Sequence, residues 1–383
     1  MTVTAPSGFR AAGVAAGLKS SGSRDVAVVV NDGPHFAAAG VVTSNRVKAA
    51  PVLWTEQVLT SGQLRAVVLN AGGANACTGP DGFADTHRTA EYTAEALGCG
   101  AGEIAVCSTG LIGERLPMDS LLDGVGKAVA ALSSDGGDDA ADAIRTTDTV
   151  RKTTTTRAHG VTVGAMAKGA GMLAPGLATM LCVLTTDAQA SPSELDAILR
   201  TAVRTTFDRV DTDGCMSTND TVLLLASGAS GIDATTADLD QLVFAACDDL
   251  ARQLVADAEG ATKDVVIEVV HAASEDDAVE VGRAVARSTL LKCALYGNDP
   301  NWGRVLAAVG TTQAVFEADA VDVAINNVWV CRNGAAAEDR ALVDMSHRGV
   351  CISIDLHAGQ DAAVIRTTDL TVAYVHENSA YST

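Results

Sequence analysis

The chain has 383 residues, 48% of them hydrophobic, and carries a formal net charge of −20. That length allows two domains, or one large intertwined unit, with a sizeable core. The acidic balance argues against a nucleic-acid partner, which needs a basic footprint, and no apolar run approaches the roughly 20 residues of a membrane span.

The first residues, MTVTAPSGFRAAG, lack the basic segment, apolar stretch and cleavage site of a secretory signal, so a cytoplasmic location is expected. Aromatics make up only 3% of the chain, which points to a core of Ala, Val, Leu and Ile. The nine cysteines show no CxxC and no paired spacing, the pattern of buried thiols in a reducing compartment. The seven histidines are dispersed, with no HExxH and no Cys/His cluster, so no metal is expected.

In chain order, residues 27–30, 40–42, 66–69 and 104–106 are short apolar runs that read as strands. Helical patterns cover residues 87–97 and 121–132. Residues 133–142, SSDGGDDAAD, read as a polar surface connection. The Thr-rich stretch 146–156 reads as a β-edge or loop, or as a hydroxyl-lined wall of a site. Then comes KGAGMLAPGLATML (168–181), a Gly-rich loop that runs straight into the apolar β-like stretch TMLCVLTT (179–186).

Ser191, Pro192 and Glu194 form a capping-box start for a helix over residues 192–207. A second helix is predicted over 238–258, ending where Gly260 permits a left-handed cap. Residues 265–270 read as a strand and 276–295 as one helix. From Val321 onward the chain reads as strands: VDVAI, VWVC, VCISIDL, AAVIRTT and LTVAYV. Helices and strands mix without strict βαβ alternation, so the expected class is α+β.

Thr179 stands at the head of its predicted strand, with a constrained loop delivered onto its nitrogen. That arrangement suits a threonine that attacks the carbonyl of Ala178 and cuts its own chain. The freed α-amine then serves as a base beside the hydroxyl. Thr109 and Gly110 follow the strand IAVC, a hydroxyl beside a Gly amide that suits stabilisation of an oxyanion. Asn70 to Gly79, NAGGANACTG, resembles a phosphate loop only superficially, for it lacks GxxxxGK[ST]. Asp211 to Val222, DTDGCMSTNDTV, lacks the carboxylate spacing of a calcium loop and reads as a polar turn supporting a site. YGNDPNWGR (296–304) reads as a packed loop or a pocket wall. GxSxG is absent, so Ser-His-Asp catalysis has no local signature.

These strings together resemble the ornithine acetyltransferases, also called glutamate N-acetyltransferases, of the cyclic arginine pathway. The match runs through PSGFRAAG, AAPV, NAGGANACTG, STGLIGERLP, TTDT, KGAGMLAPGLATML, STNDTV, EGATK, YGNDPNWGR and ENSAYST, in one order along nearly the whole chain. NAGGANACTG stands where NSGNANACTG is usual, and Cys-Met occupies a place in DTDGCMSTNDTV where a smaller polar pair is common.

The resemblance implies a layered αββα-type sandwich of the N-terminal-nucleophile kind, with a smaller C-terminal α/β portion. It implies self-cleavage at Ala178–Thr179, giving an α chain of residues 1–178 and a β chain of 179–383, intertwined in one catalytic unit. Thr179 is then the nucleophile, taking acetyl from N-acetylornithine and passing it to glutamate by ping-pong kinetics, with Thr109 and Gly110 as the oxyanion hole. Substrate contacts map to Thr146 or Thr147, Lys168, Thr179, Glu259, Asn378 and Thr383. Lys168 suits a substrate carboxylate and Glu259 an amino group.

No cofactor is implied, although acetyl-CoA stands open as an acetyl donor. The expected partners are small amino-acid substrates and further αβ units in a homo-oligomer, a dimer or a tetramer. A second reading is an N-terminal-nucleophile amidase or aminopeptidase that passes the acyl group to water.

Overall fold

The computed structural model describes residues 2–174, 180–235 and 238–380, and these divide into two compact units. Among the described residues, the first comprises those of 2–208 and 215–254, and the second those of 209–214 and 255–380. Among the described residues no helix is long and apolar enough to cross a membrane.

Along the first unit run β1 (Phe9–Val14), β2 (Val26–Asn31), β3 (Ala37–Val42), α1 (Ala50–Leu59), β4 (Ala66–Ala71), α2 (Gly79–Leu97), β5 (Ile104–Thr109) and α3 (Met118–Ala130). There follow α4 (Gly137–Ala143), β6 (Lys152–Ala158), β7 (Val161–Lys168), β8 (Leu181–Thr186), α5 (Pro192–Thr205), β9 (Thr221–Ala226) and α6 (Leu239–Ala256). They build a four-stranded sheet of order β1-β2-β4-β5 and a five-stranded sheet of order β3-β9-β8-β7-β6. The parallel pairs β4–β5 and β8–β9 are buried at every position, which is why their sequences read as unbroken apolar runs.

One apolar core joins the two sheets. Val28, Val68 and Val106 of the first sheet share it with Met166, Leu181, Val183, Leu223 and Leu225 of the second. Leu121 and Val125 of α3 join the same core, while α5 lies along β3. The class is α+β, as expected. The capping box of α5 forms as read: Ser191 N–H donates to Glu194 Oε2 at 2.8 Å and Glu194 N–H to Ser191 Oγ at 3.3 Å.

The second unit carries β10 (Asp264–Ala272), α7 (Glu275–Ala286), α8 (Thr289–Tyr296), α9 (Trp302–Val309), β11 (Asp322–Ile325), β12 (Val328–Arg332), β13 (Ala335–Ala336), β14 (Gly349–Asp355), β15 (Asp361–Thr368) and α10 (Val372–Ala380). Its six strands form one mixed sheet of order β13-β12-β11-β14-β10-β15, in which only β10 and β14 run parallel. Ile267, Val269, Ile352 and Ile354 pack against Val281 and Val285 of α7.

Four expectations need correcting. Residues 133–142 are not a surface connection throughout: α4 begins within them, and Ala140, Ala141 and, just beyond them, Ala143 are fully buried. The polar letters concealed an all-small face. At Gly136 a Cβ would come within 1.9 Å of the Ala11 carbonyl oxygen, so close packing on β1 depends on the missing side chain.

The predicted helix 276–295 is two helices, because Ser288 caps the second by accepting from Leu291 N–H at 3.4 Å. LTVAYV is not a strand. Thr371 Oγ1 accepts from Tyr374 N–H at 2.9 Å and opens α10 instead. Finally, Cys77, Cys215 and Cys293 are exposed thiols, whereas Cys107, Cys182, Cys247 and Cys331 are buried as read.

Candidate active site

Ala178, Thr179 and Thr383 lie outside the described residues, so the site is built from what surrounds them in the chain. Thr109 is the last residue of β5 and Lys168 the last of β7, one from each sheet of the first unit. Both are buried, and Lys168 Nζ donates to Thr109 Oγ1 at 3.1 Å. The structure therefore joins two residues that the sequence had marked for different reasons.

Gly110 has φ 135°, outside the range open to ordinary side chains, and a Cβ there would sit 2.5 Å from Gly73 N. NAGGANACTG is thus a brace for the 108–110 turn. Gly72 and Gly73 N–H both donate to the Thr109 carbonyl, at 2.9 and 3.0 Å. Ser108 Oγ donates to Asn70 Oδ1 at 2.6 Å, and Asn70 Nδ2 donates to the Gly73 carbonyl at 3.1 Å. Asn219 ties in the second sheet by donating from Nδ2 to the carbonyls of Ala74 and Ser108, at 2.6 and 2.9 Å.

The string STNDTV holds the residue that follows Thr179. Met180 N–H donates to Asp220 Oδ1 at 2.9 Å, while Thr221 N–H donates to the Met180 carbonyl at 3.1 Å. Asp220 is fully buried, and among the described residues its Oδ2 meets no hydrogen-bond partner in bonding geometry. Burial pushes its carboxyl well above the ordinary carboxylate range, against the Met180 N–H, Lys168 and Ser217, which favour the anion. A fully buried carboxyl beside the nitrogen bonded to Thr179 was not foreseen. The signal was an Asp set directly before the unbroken apolar run of β9.

Asp148, in the TTDT string, is the second unforeseen group. Lys152 Nζ donates to its Oδ1 at 2.6 Å, with both side chains wholly buried. Gly169 N–H donates to the same oxygen at 2.7 Å, and Thr146 N–H donates to Oδ2 at 3.0 Å. Burial pushes the Asp148 carboxyl up, but Lys168, Lys152 and the Gly169 N–H outweigh it and bring it down to about 2. This anion holds the end of β7, since it anchors the residue after Lys168 and feels the charge of Lys168 itself.

Thr146 is exposed and lines a cleft of about 340 Å³ with Lys19, Arg24, Arg145 and Asp148; Thr147 is half-buried. The Thr-run beyond them, from Thr153, is β6, the edge strand of the five-stranded sheet.

Glu259 and Asn378 belong to the second unit. Asn378 Nδ2 donates to Glu259 Oε2 at 2.9 Å. The turn that carries Glu259 is held by α10: Thr371 Oγ1 donates to the Gly260 carbonyl at 2.7 Å, and a Cβ at Gly260 would meet Tyr374 N at 2.3 Å. YGNDPNWGR is a packed turn in which Asn301 Oδ1 caps α9 by accepting from Arg304 N–H at 3.2 Å.

Residues 10–383 match the profile described as the ArgJ family. An "Arginine biosynthesis bifunctional protein ArgJ" from Thermobifida fusca is 66% identical over 383 residues, covering 100% of both chains. The protein of the same name from Mycobacterium tuberculosis is 60% identical, over 99% of this chain and 96% of its own. A solved structure of ornithine acetyltransferase complexed with ornithine, from Mycobacterium tuberculosis, is 63% identical. It covers 47% of this chain and 96% of its own, with a TM-score of 0.45.

Proposed function

Because the chain belongs to the ArgJ family, we propose that it is an acetyltransferase of arginine biosynthesis that moves acetyl from N2-acetylornithine to glutamate. The observation that carries this reading is identity of 66% along the full length of a bifunctional ArgJ relative. The geometry around Thr109 and Lys168 supports the chemistry.

Maturation begins when Thr179 Oγ attacks the Ala178 carbonyl carbon. The C–N bond breaks as the C–O bond forms, leaving an ester and a free Thr179 α-amine; water then hydrolyses the ester. Residues 1–178 and 179–383 become two chains of one catalytic unit. In turnover the α-amine takes the Oγ proton as Oγ attacks the acetyl carbonyl, and ornithine leaves with that proton. Glutamate's amine then attacks the acetyl ester, giving N-acetylglutamate and restoring the hydroxyl.

The negative charge of each tetrahedral intermediate falls to the Thr109 hydroxyl and the Gly110 N–H. Lys168 donates to Thr109 Oγ1, so the hydroxyl proton remains available to an oxyanion, and the adjacent ammonium makes it a stronger donor. The positive charge of Lys168 beside Thr109 supports its pairing with a substrate carboxylate as well. Exposure on a polar cleft favours Thr146 over Thr147 as the substrate-facing hydroxyl. The hydrogen bond between Glu259 and Asn378 supports their acting together on a substrate amino group.

The test is direct. Purified protein should run as two bands under denaturing conditions, and with labelled N-acetylornithine it should form N-acetylglutamate only when glutamate is present. Thr179→Ala should remain one band and transfer nothing. Release of free acetate, with no N-acetylglutamate, would favour the amidase reading instead. Acetyl-CoA with glutamate alone tests the second donor, and light scattering the assembly of αβ units.

A further inference from the structure

Two histidines far apart in the sequence meet where β10 and β14 run out side by side. His271 of β10, Asp355 at the end of β14 and His357 just beyond it present ligand atoms all within 4.8 Å of one another. His271 Nδ1 lies 2.9 Å from Asp355 Oδ2, and His357 Nδ1 lies 3.4 Å from Asp355 Oδ1. The two rings are close to parallel, at 22°.

The backbone is committed to this arrangement. Both histidines adopt left-handed conformations, φ 51° for His271 and 49° for His357, which persist only where the surroundings impose them. Ala358 and Gly359 N–H both donate to the His271 carbonyl, at 2.7 and 2.9 Å. Gly359 approaches so closely that a Cβ would lie 2.2 Å from the Ala272 carbonyl oxygen. The segment bearing His357 is therefore laced onto the strand bearing His271.

A second carboxylate decides which nitrogen of His357 is free. Asp322 Oδ2 lies 3.1 Å from His357 Nε2 and also accepts from Arg332 at 2.7 Å, while Asn333 N–H donates to Oδ1 at 2.8 Å. A carboxylate held by those donors can only accept, so Nε2 carries the hydrogen. In the neutral ring Nδ1 is then a bare lone pair, facing a carboxylate oxygen at 3.4 Å. A cation between these two acceptors, either a second ring proton or a metal ion, would satisfy both.

Donor chemistry and the 3.4 Å separation of His357 Nδ1 from Asp355 Oδ1 suit the metal, whose binding would replace the 2.9 Å hydrogen bond between His271 and Asp355. Zinc-type ions bind imidazole nitrogen and carboxylate oxygen at about 2.0–2.2 Å, which places neighbouring donors of a tetrahedron about 3.4 Å apart. A carboxylate on the far nitrogen of a ligating histidine is the usual outer support of such sites. We propose that His271, His357 and Asp355 bind one borderline divalent cation of the zinc class. Asp322 orients His357, and solvent completes the coordination. Both histidines are about half exposed, which leaves a route of entry.

The experiment uses the full-length, chelator-stripped protein with its thiols blocked, since three cysteines are exposed. Titration with Zn2+ by calorimetry, and with Co2+ by visible absorption, should show one ion bound with micromolar or tighter affinity. His271→Ala and His357→Ala should each weaken binding at least 100-fold. Asp322→Asn, which keeps the ligand set, should weaken it by about 10- to 100-fold. Circular dichroism and acetyl transfer confirm that the variants are folded. Binding no tighter than millimolar, or equal affinity in wild type and both histidine variants, overturns the proposal. So does an NMR titration in which His357 takes up its second proton at the same pH with and without Zn2+.

Discussion

Asp148→Asn removes the buried anion that faces Lys152 and Lys168 while keeping the side-chain shape. Two routes give the size of the effect. A carboxyl at about 2 in the folded chain, against 3.8 otherwise, makes folding more favourable by about 2 kcal/mol at neutral pH, from roughly 1.4 kcal/mol for each pH unit. Deleting one partner of a buried ion pair costs about 3–5 kcal/mol in other proteins. The Asn oxygen still accepts from Gly169 and Lys152, so the lower end applies, about 2–3 kcal/mol.

The sign follows from the depressed value. The contribution is complete above about pH 4 and is lost as pH falls toward 2, so the gap between wild type and variant narrows on acidification. Urea unfolding measures it, read from Trp54 in a background with Trp302 and Trp329 replaced by Phe. Adding Lys152→Met to Asp148→Asn removes the buried cation too and should recover at least half of the loss. A gap below about 0.5 kcal/mol at pH 7, a gap unchanged at pH 2.5, or a double variant no better than the single would refute the reasoning.

Thr109→Ala should lower kcat for acetyl transfer by about 10²- to 10³-fold with KM little changed, and Thr109→Ser should restore most of it. Gly110→Ala must force apart Thr109 and the Gly72–Gly73 loop, so it should block both chain cleavage and transfer on a gel and in the assay. Asn378→Ala, which frees Glu259 from its hydrogen bond, should raise KM several-fold with kcat nearly intact, as steady-state kinetics would show. For Asp220 the Asn variant should still hold Met180 N–H and cleave. It should gain stability over wild type as pH rises, because a buried carboxyl with a raised value loses stability on the alkaline side. Asp220→Ala leaves the Met180 N–H without its acceptor and should slow cleavage, read by the ratio of bands over time.

What could be read in the chain, and what could not, divides by the range of the interaction. Runs such as VAVVVN and LCVLTT announce β2 and β8 because a strand buried on both faces needs apolar residues at every position. Ser191, Pro192 and Glu194 announce α5 because capping is a matter of four consecutive residues. Thr109, Gly110 and Lys168 were legible one at a time; the bond between Thr109 and Lys168 was not, since it needs the two sheets stacked.

The same limit explains Asp148 and Asp220. Each looks like an ordinary loop acid in its own string, and only tertiary burial makes one a strong acid fixed between lysines and the other a weak acid beside Met180. α4 failed in the opposite direction. Its aspartates face outward while a face of alanines and glycines, invisible to a hydropathy reading, meets β1 at van der Waals distance. Charge in this first unit therefore acts through where the fold buries it. Of these two buried carboxyls, the one flanked by two ammonium groups is held down in the ionised range, and the other is pushed up because burial outweighs the Met180 N–H, Lys168 and Ser217 around it.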